Sequence, residues 1–399
     1  MKRNNYSACL CCLLVCVLSL SPGFGGTALA AGPGQDETTQ TEPAEYTAVD
    51  GYQIPEDERN DSVVEYQELG SLIHFNNDSV NEILADTEET RNDYTEIRDF
   101  FQSEKSSARR DRDEAEEDGN PEDYAENAAL VEVYQSAIKG YNDSLKRLDK
   151  YSYNRDRIVL ERQLTSTAQS LMISRQSLVI QKEYLEKAAE LYGDLYENQN
   201  LQTQAGLSTE RSVLDAYNKW QAAENSLSAL EENQSDIERN LCLLLGIDEN
   251  GGMEFQSIPP VELERMTELD LEPDTERSVN NNTEMITLRK TSSDGSSSGV
   301  KNKRRQVNEL EEEIRIEMQT LYNKALQAKQ SYDAAWTGLS GAETNWTNHQ
   351  ARYSMGMLSQ AEYTQEEMTY IQKKTNFESA ELSLFQALQN YEWAVNGIL

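Results

Sequence analysis

The sequence predicts an all-α protein made of two repeated long antiparallel α-helical hairpins that resemble coiled coils. Two long stretches place apolar residues at alternating steps of three and four, the 3.5-residue repeat of a coiled-coil seam. Each stretch runs into a glycine, and a second apolar helix follows it. Only 8 prolines and 20 glycines interrupt 399 residues, which suits long solvated helices better than a compact α/β core. We therefore expect one elongated body.

Residues 1–30 are predicted to be a secretion signal. Lys2 and Arg3 precede an apolar run from Ala8 to Leu20, and Ala28-Leu29-Ala30 forms a small-residue cleavage site. The apolar run is shorter than the roughly 20 residues of a comfortable membrane span, which disfavours the alternative of an uncleaved amino-terminal anchor. We expect cleavage near Ala30 and a mature protein that works outside the cytoplasm.

Two weaker segments separate the signal from the first clear seam. Residues 31–61 are rich in Thr, Glu, Gly and Pro without apolar periodicity, so a flexible leader is predicted. Residues 62–155 show a weaker helical pattern and are predicted to form N-terminal helices. Gly119-Asn120-Pro121 interrupts them, because glycine and proline end one helix and begin the next.

The first long hairpin is predicted over residues 156–250. Its seam continues to a turn at Gly206, apolar positions resume at Val213, and Gly246 ends the return helix as a C-terminal cap. The seam residues step by four and three along the chain. They are Leu160, Leu164, Ala168, Leu171, Arg175, Leu178, Lys182, Leu185, Ala189 and Tyr192.

A connector over residues 251–300, with a Ser/Gly-rich linker, is predicted to lead to the second long hairpin over residues 301–399. The second seam again steps by three and four and runs into Gly356. Aligning Ser208 with Ser359 brings Gly246 onto Gly397, so the two halves indicate an internal duplication.

Charge and composition exclude several classes of function. A formal net charge of −35 repels phosphate backbones, so no nucleic-acid partner is expected. After cleavage the chain keeps two histidines and Cys242 alone, which excludes an internal disulfide and a zinc site of the usual ligand count. No phosphate-binding loop, nucleophile elbow or HExxH helix occurs. We predict a protein that is not an enzyme, without catalytic residues, cofactor or metal, and an envelope hydrolase is disfavoured.

The hairpin turns and ends carry a resemblance to a known family. The first hairpin has a glycine turn, a descending helix and a leucine-rich end, which are Gly206-Leu207-Ser208, Val213-Leu214-Asp215-Ala216 and Leu243-Leu244-Leu245-Gly246. The second hairpin has the turn Tyr353-Ser354-Met355-Gly356-Met357-Leu358-Ser359, and the second half opens on the short segment Asn282-Thr283-Glu284-Met285-Ile286-Thr287-Leu288. At these residues the sequence resembles the TolC family of outer-membrane efflux proteins.

The resemblance implies a fold, an assembly and a docking surface. In that family three protomers form a hollow helical barrel, and the hairpin turns dock on a periplasmic membrane-fusion (adaptor) protein that connects to an inner-membrane transporter. The implied docking residues are Gly206, Leu207, Ser208, Gly356, Met357, Leu358 and Ser359. Asp215 matches an aspartate that narrows the tunnel in some members; the alternative is an exposed acid on a solvated helix face.

One departure from the family concerns the membrane. No ten-residue alternating stretch occurs in residues 100–160 or 286–310, so there are no evident transmembrane β-strands, and the resemblance implies a barrel-less or divergent member. The predicted function is a TolC-like component of an efflux or export assembly, in the outer membrane or periplasm of a two-membrane cell and otherwise at the surface or outside. The alternative is an extracytoplasmic coiled-coil scaffold or surface protein without transport activity.

Overall fold

The structure is a computed structural model that describes residues 62–249, 251–293 and 295–399. The predicted signal and flexible leader fall outside these ranges. Ten helices and two short strands are formed by the described residues, and the first half holds β1 (Val63–Val64), α1 (Leu69–Asn76), α2 (Asp78–Glu117), α3 (Pro121–Leu148), α4 (Tyr151–Gln204) and α5 (Glu210–Leu245). The rest are β2 (Glu254–Phe255), α6 (Arg265–Glu268), α7 (Leu271–Asn281), α8 (Thr283–Lys290), α9 (Ser297–Ser354) and α10 (Gln360–Val395).

The predicted all-α fold with two long antiparallel hairpins is confirmed. Helices α4 and α5 pack along their lengths as the first long hairpin, and α9 and α10 pack as the second. Both turns contain the glycines that the sequence singled out. Gly246 caps the end of α5, and Gly397 follows the Asn396 cap of α10. These are the features of the two hairpins that the resemblance implies.

A third hairpin precedes these two. Helices α2 and α3 pack against each other around Gly119, and we call them the N-terminal hairpin. Stacked and tilted aromatic rings join the two helices, with Phe101 5.9 Å from Tyr134 and 6.0 Å from Tyr141 between ring centroids. The sequence predicted helices here but not that they pair, because charged residues weaken their apolar periodicity.

The two long hairpins pack through one helix of each. Helices α4 and α10 run antiparallel, with Phe385 near Ile173 in the main core and Met368 near Ala189 further along. Gln169 accepts a hydrogen bond from the Trp393 indole at 2.8 Å. Helices α5 and α9 therefore lie on the outer flanks of the pair.

The carboxyl end of each long hairpin packs against the carboxyl end of a short helix, α1 for the first hairpin and α7 for the second. We call these two contacts the closures. At Gly246, with φ +68°, an added Cβ would lie 2.1 Å from the Asn76 carbonyl oxygen. The Asn77 side chain donates to the Leu244 carbonyl at 2.8 Å and accepts from the amides that begin α2. Helix α2 is thereby fixed on the end of α5.

The second closure repeats the first. At Gly397, with φ +86°, an added Cβ would lie 2.4 Å from the Asn281 carbonyl. The Asn281 side chain donates to the Val395 carbonyl at 3.1 Å, and Asn282 caps α8. Helix α8 therefore stands on the end of α10 as α2 stands on α5, which extends the duplication beyond the hairpins.

One local prediction differs from the structure. A helix was expected to begin at Ser62, but residues 63–64 form β1 instead. This strand pairs in parallel with β2 through Val64 and Phe255. The helix is broken again before Asp78, because Asn77 adopts an extended conformation and caps the next helix. The predicted connector holds three helices of 4 to 11 residues.

Candidate functional site

The first hairpin tip, residues 205–209, is a tight glycine turn with an apolar residue at its outermost point. Gly206 has φ +74°, a conformation that residues with a Cβ rarely adopt. The Leu207 amide donates to the Gln202 carbonyl at 2.7 Å, which closes the last turn of α4. The Leu207 side chain is 79% exposed. Ser208 does not project; its hydroxyl donates to the Gln199 side chain at 2.6 Å.

The second tip, residues 355–359, has the same construction. Gly356 has φ +72°, and the Met357 amide donates to the Arg352 carbonyl at 2.9 Å. Met357 is 63% exposed, whereas Leu358 is half-buried. Ser359 begins α10 through a capping box with Glu362, and these bonds lower the pKa of the Glu362 carboxyl. The predicted docking residues are therefore unequal: Leu207 and Met357 project, and Ser208, Leu358 and Ser359 support the turns.

Both tips face open space rather than other parts of the described chain. A Cβ added at Gly206 or Gly356 would contact nothing within 4 Å. Leu201 and Met355 are further exposed apolar residues beside the turns, and neither was among the predicted docking residues. Together with Leu207 and Met357 they give each tip a small apolar surface.

Aromatic rings brace the hairpin behind each tip. In the first hairpin Tyr196 stacks on Trp220 with centroids 5.9 Å apart. In the second, Tyr353 stacks on Tyr363 at 4.2 Å, and Trp346 lies 4.9 Å from Tyr363. Rings that span the two helices fix their separation, so each tip is held on a stiff support rather than on a loose loop.

The antiparallel packing of α4 on α10 places the two tips at the same end of the molecule. From the contact between Ala189 and Met368, α4 continues to its tip while α10 leads back to its own. At 1.5 Å per residue the tips lie about 25 Å and about 18 Å beyond that contact. The structure thus brings both predicted turns together as neighbouring projections.

Asp215 lies in the second turn of α5 and stays a candidate only by position. Its side chain is exposed and its ion-pair partner is Arg211 at 4.0 Å, one helical turn earlier.

No helix in the described ranges is both long and apolar enough to cross a membrane. No group of three or more His, Cys, Asp or Glu side chains among the described residues is arranged to hold a metal ion.

The sequence matches no protein-family model and no curated protein. Solved structures similar to this chain include the Campylobacter jejuni CmeC outer membrane channel, 12% identical, with a TM-score of 0.45 over 68% of each chain. The Vibrio cholerae outer membrane protein VceC is 12% identical, with a TM-score of 0.41 over 64% of this chain and 75% of VceC. CusC, which forms a transmembrane channel, is 12% identical, with a TM-score of 0.49 over 92% of this chain and 99% of CusC.

Proposed function

We propose that this protein is a non-enzymatic, TolC-like component of an export or efflux assembly. In this proposal, copies of the chain form or line an exit duct, and the two hairpin tips dock an adaptor protein. The observation that supports it best is the pair of glycine tips, which project side by side from one end of the molecule with apolar residues at their outermost points.

The chemistry of the tips suits a helical partner. Leu207 and Met357 lie on narrow convex turns, so each fits a groove between two helices of another protein. Exposed apolar residues gathered at one place on a very polar chain are a common mark of an interaction surface. The glycines keep the turn small, because a side chain at either position would strain the left-handed backbone.

The remaining parts of the assembly follow from the family that the sequence resembles. We propose a homotrimer whose helices surround the duct, an adaptor at the tips, and through it an inner-membrane transporter. Asp215 is the candidate aperture residue of such a duct. The protein would work in the cell envelope: the outer membrane or periplasm in a cell with two membranes, and otherwise the cell surface.

The test is site-specific crosslinking in cells. A photoreactive amino acid replaces Leu207 or Met357, and the matched control replaces Val133, an exposed apolar residue on α3 far from both tips. We expect both tip positions to capture the same adaptor-type helical protein, and Val133 not to capture it. Capture at Val133 alone, or unchanged export after Leu207→Asp and Met357→Asp together, would favour the scaffold without transport activity.

A further inference from the structure

The N-terminal hairpin carries exposed apolar residues on one of its sides. Phe101 of α2 and Tyr134 of α3 face each other between the helices, with ring centroids 5.9 Å apart. The residues before them, Phe100 and Val133, are 57% and 60% exposed. Because the two helices are antiparallel, a step back of one residue turns both side chains to the same side of the hairpin. With two more exposed residues at helical spacing they form the apolar strip, which consists of Ile97, Phe100, Leu130 and Val133.

Acidic side chains surround the apolar strip. Each lies four residues from a member of the strip on the same helix, and therefore on the same helix face. None of these acids has an ion-pair partner among the described residues. They are Asp93, Glu96, Glu104 and Glu126.

The cations of the hairpin lie elsewhere. Those at the level of the strip are turned away from it by about 120° or more, and they are Arg98, Lys105 and Lys139. On the strip side the nearest cations are Arg110 and Arg147, about 15 Å and about 21 Å away along the helices. Each of these two donates to a serine of its own helix, at 3.1 Å and 2.8 Å. At its own level the strip side therefore presents apolar and anionic groups.

The strip lies at the end of the molecule opposite to the two tips. Leu84 of α2 packs against the main core, and Arg91, two turns later, pairs with Asp149 beside the start of α4 at 2.7 Å. Helix α2 therefore leads away from the tips, and its residues after Arg91 extend past the start of α4. Since α4 has 54 residues, about 80 Å or more separates the strip from the tips.

Helices α2 and α3 bury little apolar surface by themselves. They contain 40 and 28 residues, and the buried ones are Val80, Ala108, Ala115, Val131 and Leu148. The rings of Phe101 and Tyr134 stay half-buried between the helices. Long helices obtain most of their stability from packing an apolar face against a neighbour. A third helix laid along the strip would cover these rings and complete a three-helix bundle.

We infer that the apolar strip binds an amphipathic helix of another protein, with apolar residues at the centre of its contact face and basic residues in the turns around them. The groove between two antiparallel helices accepts the apolar face of a third helix. The unpaired acids around the strip favour lysine and arginine on that helix and repel an acidic one. This partner is separate from the adaptor proposed for the tips, because the two surfaces lie at opposite ends.

A second copy of this chain fits the strip less well. The side of the hairpin that carries Arg98 and Lys105 has charges that match the acids of the strip. Among the described residues of α2 and α3, however, the only large apolar side chain exposed outside the strip is Tyr124. A second copy therefore offers matching charges without a matching apolar face.

The first test measures binding of a labelled synthetic peptide to the mature full chain by fluorescence anisotropy. The peptide has three heptads, with leucine at the a and d positions and lysine at e and g. One control peptide carries glutamate in place of lysine, and the other has the same composition in an order without an apolar face. We expect the lysine peptide to bind at least about tenfold more tightly than either control. Equal binding of the peptide without an apolar face would overturn the inference, because it would show only attraction between opposite net charges.

The second test changes the strip and its acids separately. Phe100→Ser with Val133→Ser is expected to weaken binding of the lysine peptide at least about tenfold. The matched control, Ile316→Ser with Leu326→Ser, removes two exposed apolar residues of α9 and is expected to leave binding unchanged. For the acids, the changes are E96K, E104K and E126K together. Their control reverses three exposed acids of α9 by E312K, E313K and E317K. Equal weakening by a variant and its control would overturn the assigned surface.

A third measurement identifies what covers the strip. A photoreactive amino acid at Phe100 is expected to couple to the lysine peptide, and one at Tyr124 is not. Sedimentation compares the unmodified chain with the Phe100→Ser and Val133→Ser variant, and circular dichroism checks the folding of every variant. Equal masses are expected; a lower mass for the variant would show that a second copy occupies the strip and would overturn the inference. Leu207→Asp with Met357→Asp is expected to leave peptide binding unchanged, so failure at the strip and failure at the tips are distinguishable.

Discussion

Replacing Gly246 by alanine tests the closure that fixes α2 on the end of α5. The residue has φ +68°, and its added Cβ would lie 2.1 Å from the Asn76 carbonyl oxygen and 3.1 Å from the Asn77 nitrogen. Both neighbours are backbone atoms, so no side chain can rotate to make room. The Asn76–Asn77 segment or the end of α5 must move.

The expected cost has two parts. A left-handed alanine costs about 1–2 kcal/mol. Moving the segment disrupts the bond from Asn77 to the Leu244 carbonyl, an interaction in a partly buried place, at about 1–3 kcal/mol. Loosening the adjoining core, in which Leu241 and Leu245 are fully buried, adds to this. We expect a total loss of about 3–5 kcal/mol in the free energy of unfolding.

The matched control is Gly206→Ala. Gly206 has nearly the same φ, +74°, but its Cβ would face open space, so only the conformational cost of about 1–2 kcal/mol remains. Urea unfolding followed by circular dichroism at 222 nm compares the two variants. Equal destabilisation by Gly246→Ala and Gly206→Ala would refute the reasoning, because it would show that the close approach to Asn76 has no energetic weight.

Two further predictions concern buried polar groups. Glu161 is 2% exposed and lies within hydrogen-bond distance of the buried Arg157 and of His74. Glu161→Ala removes the carboxylate partner of that buried guanidinium and is expected to destabilise the fold by about 3–5 kcal/mol. Glu161→Gln keeps an acceptor and should cost clearly less in the same urea experiment. Burial raises the pKa of the Cys242 thiol. The thiol of the folded chain therefore stays protonated and unreactive at pH 8, and it reacts with a thiol reagent only in denaturant. Because the pKa of this thiol is higher in the folded than in the unfolded chain, its contribution to stability is lost as pH rises above the pKa of the unfolded chain. Rapid labelling of the native chain would contradict that account.

The long hairpins were predictable because their signal is local. A heptad seam followed by a glycine specifies two helices and a turn without knowledge of the rest of the chain. The glycines at both tips and both closures were identified for this reason. The N-terminal hairpin was only half predicted, since the dense charges of α2 hide the seam through Phe101.

The closures and the strand pair needed the structure. Two-residue parallel strands have no pattern of their own, and β1 meets β2 across almost 200 positions of sequence. The closures did leave a signal, the repeated Asn-Asn at Asn76-Asn77 and Asn281-Asn282, but only the contact with each glycine shows its meaning.

The candidate site was predicted in its residues but not in its arrangement. Glycine chemistry places Leu207 and Met357 at turns, yet their neighbouring positions depend on the packing of α4 against α10, which no local pattern reports.

The proposed function requires copies of this chain to assemble around a duct, and the mass of the purified mature protein in solution tests this directly. Sedimentation equilibrium over a range of protein concentrations is expected to show a particle of three chains. A stable monomer at every concentration would contradict the duct.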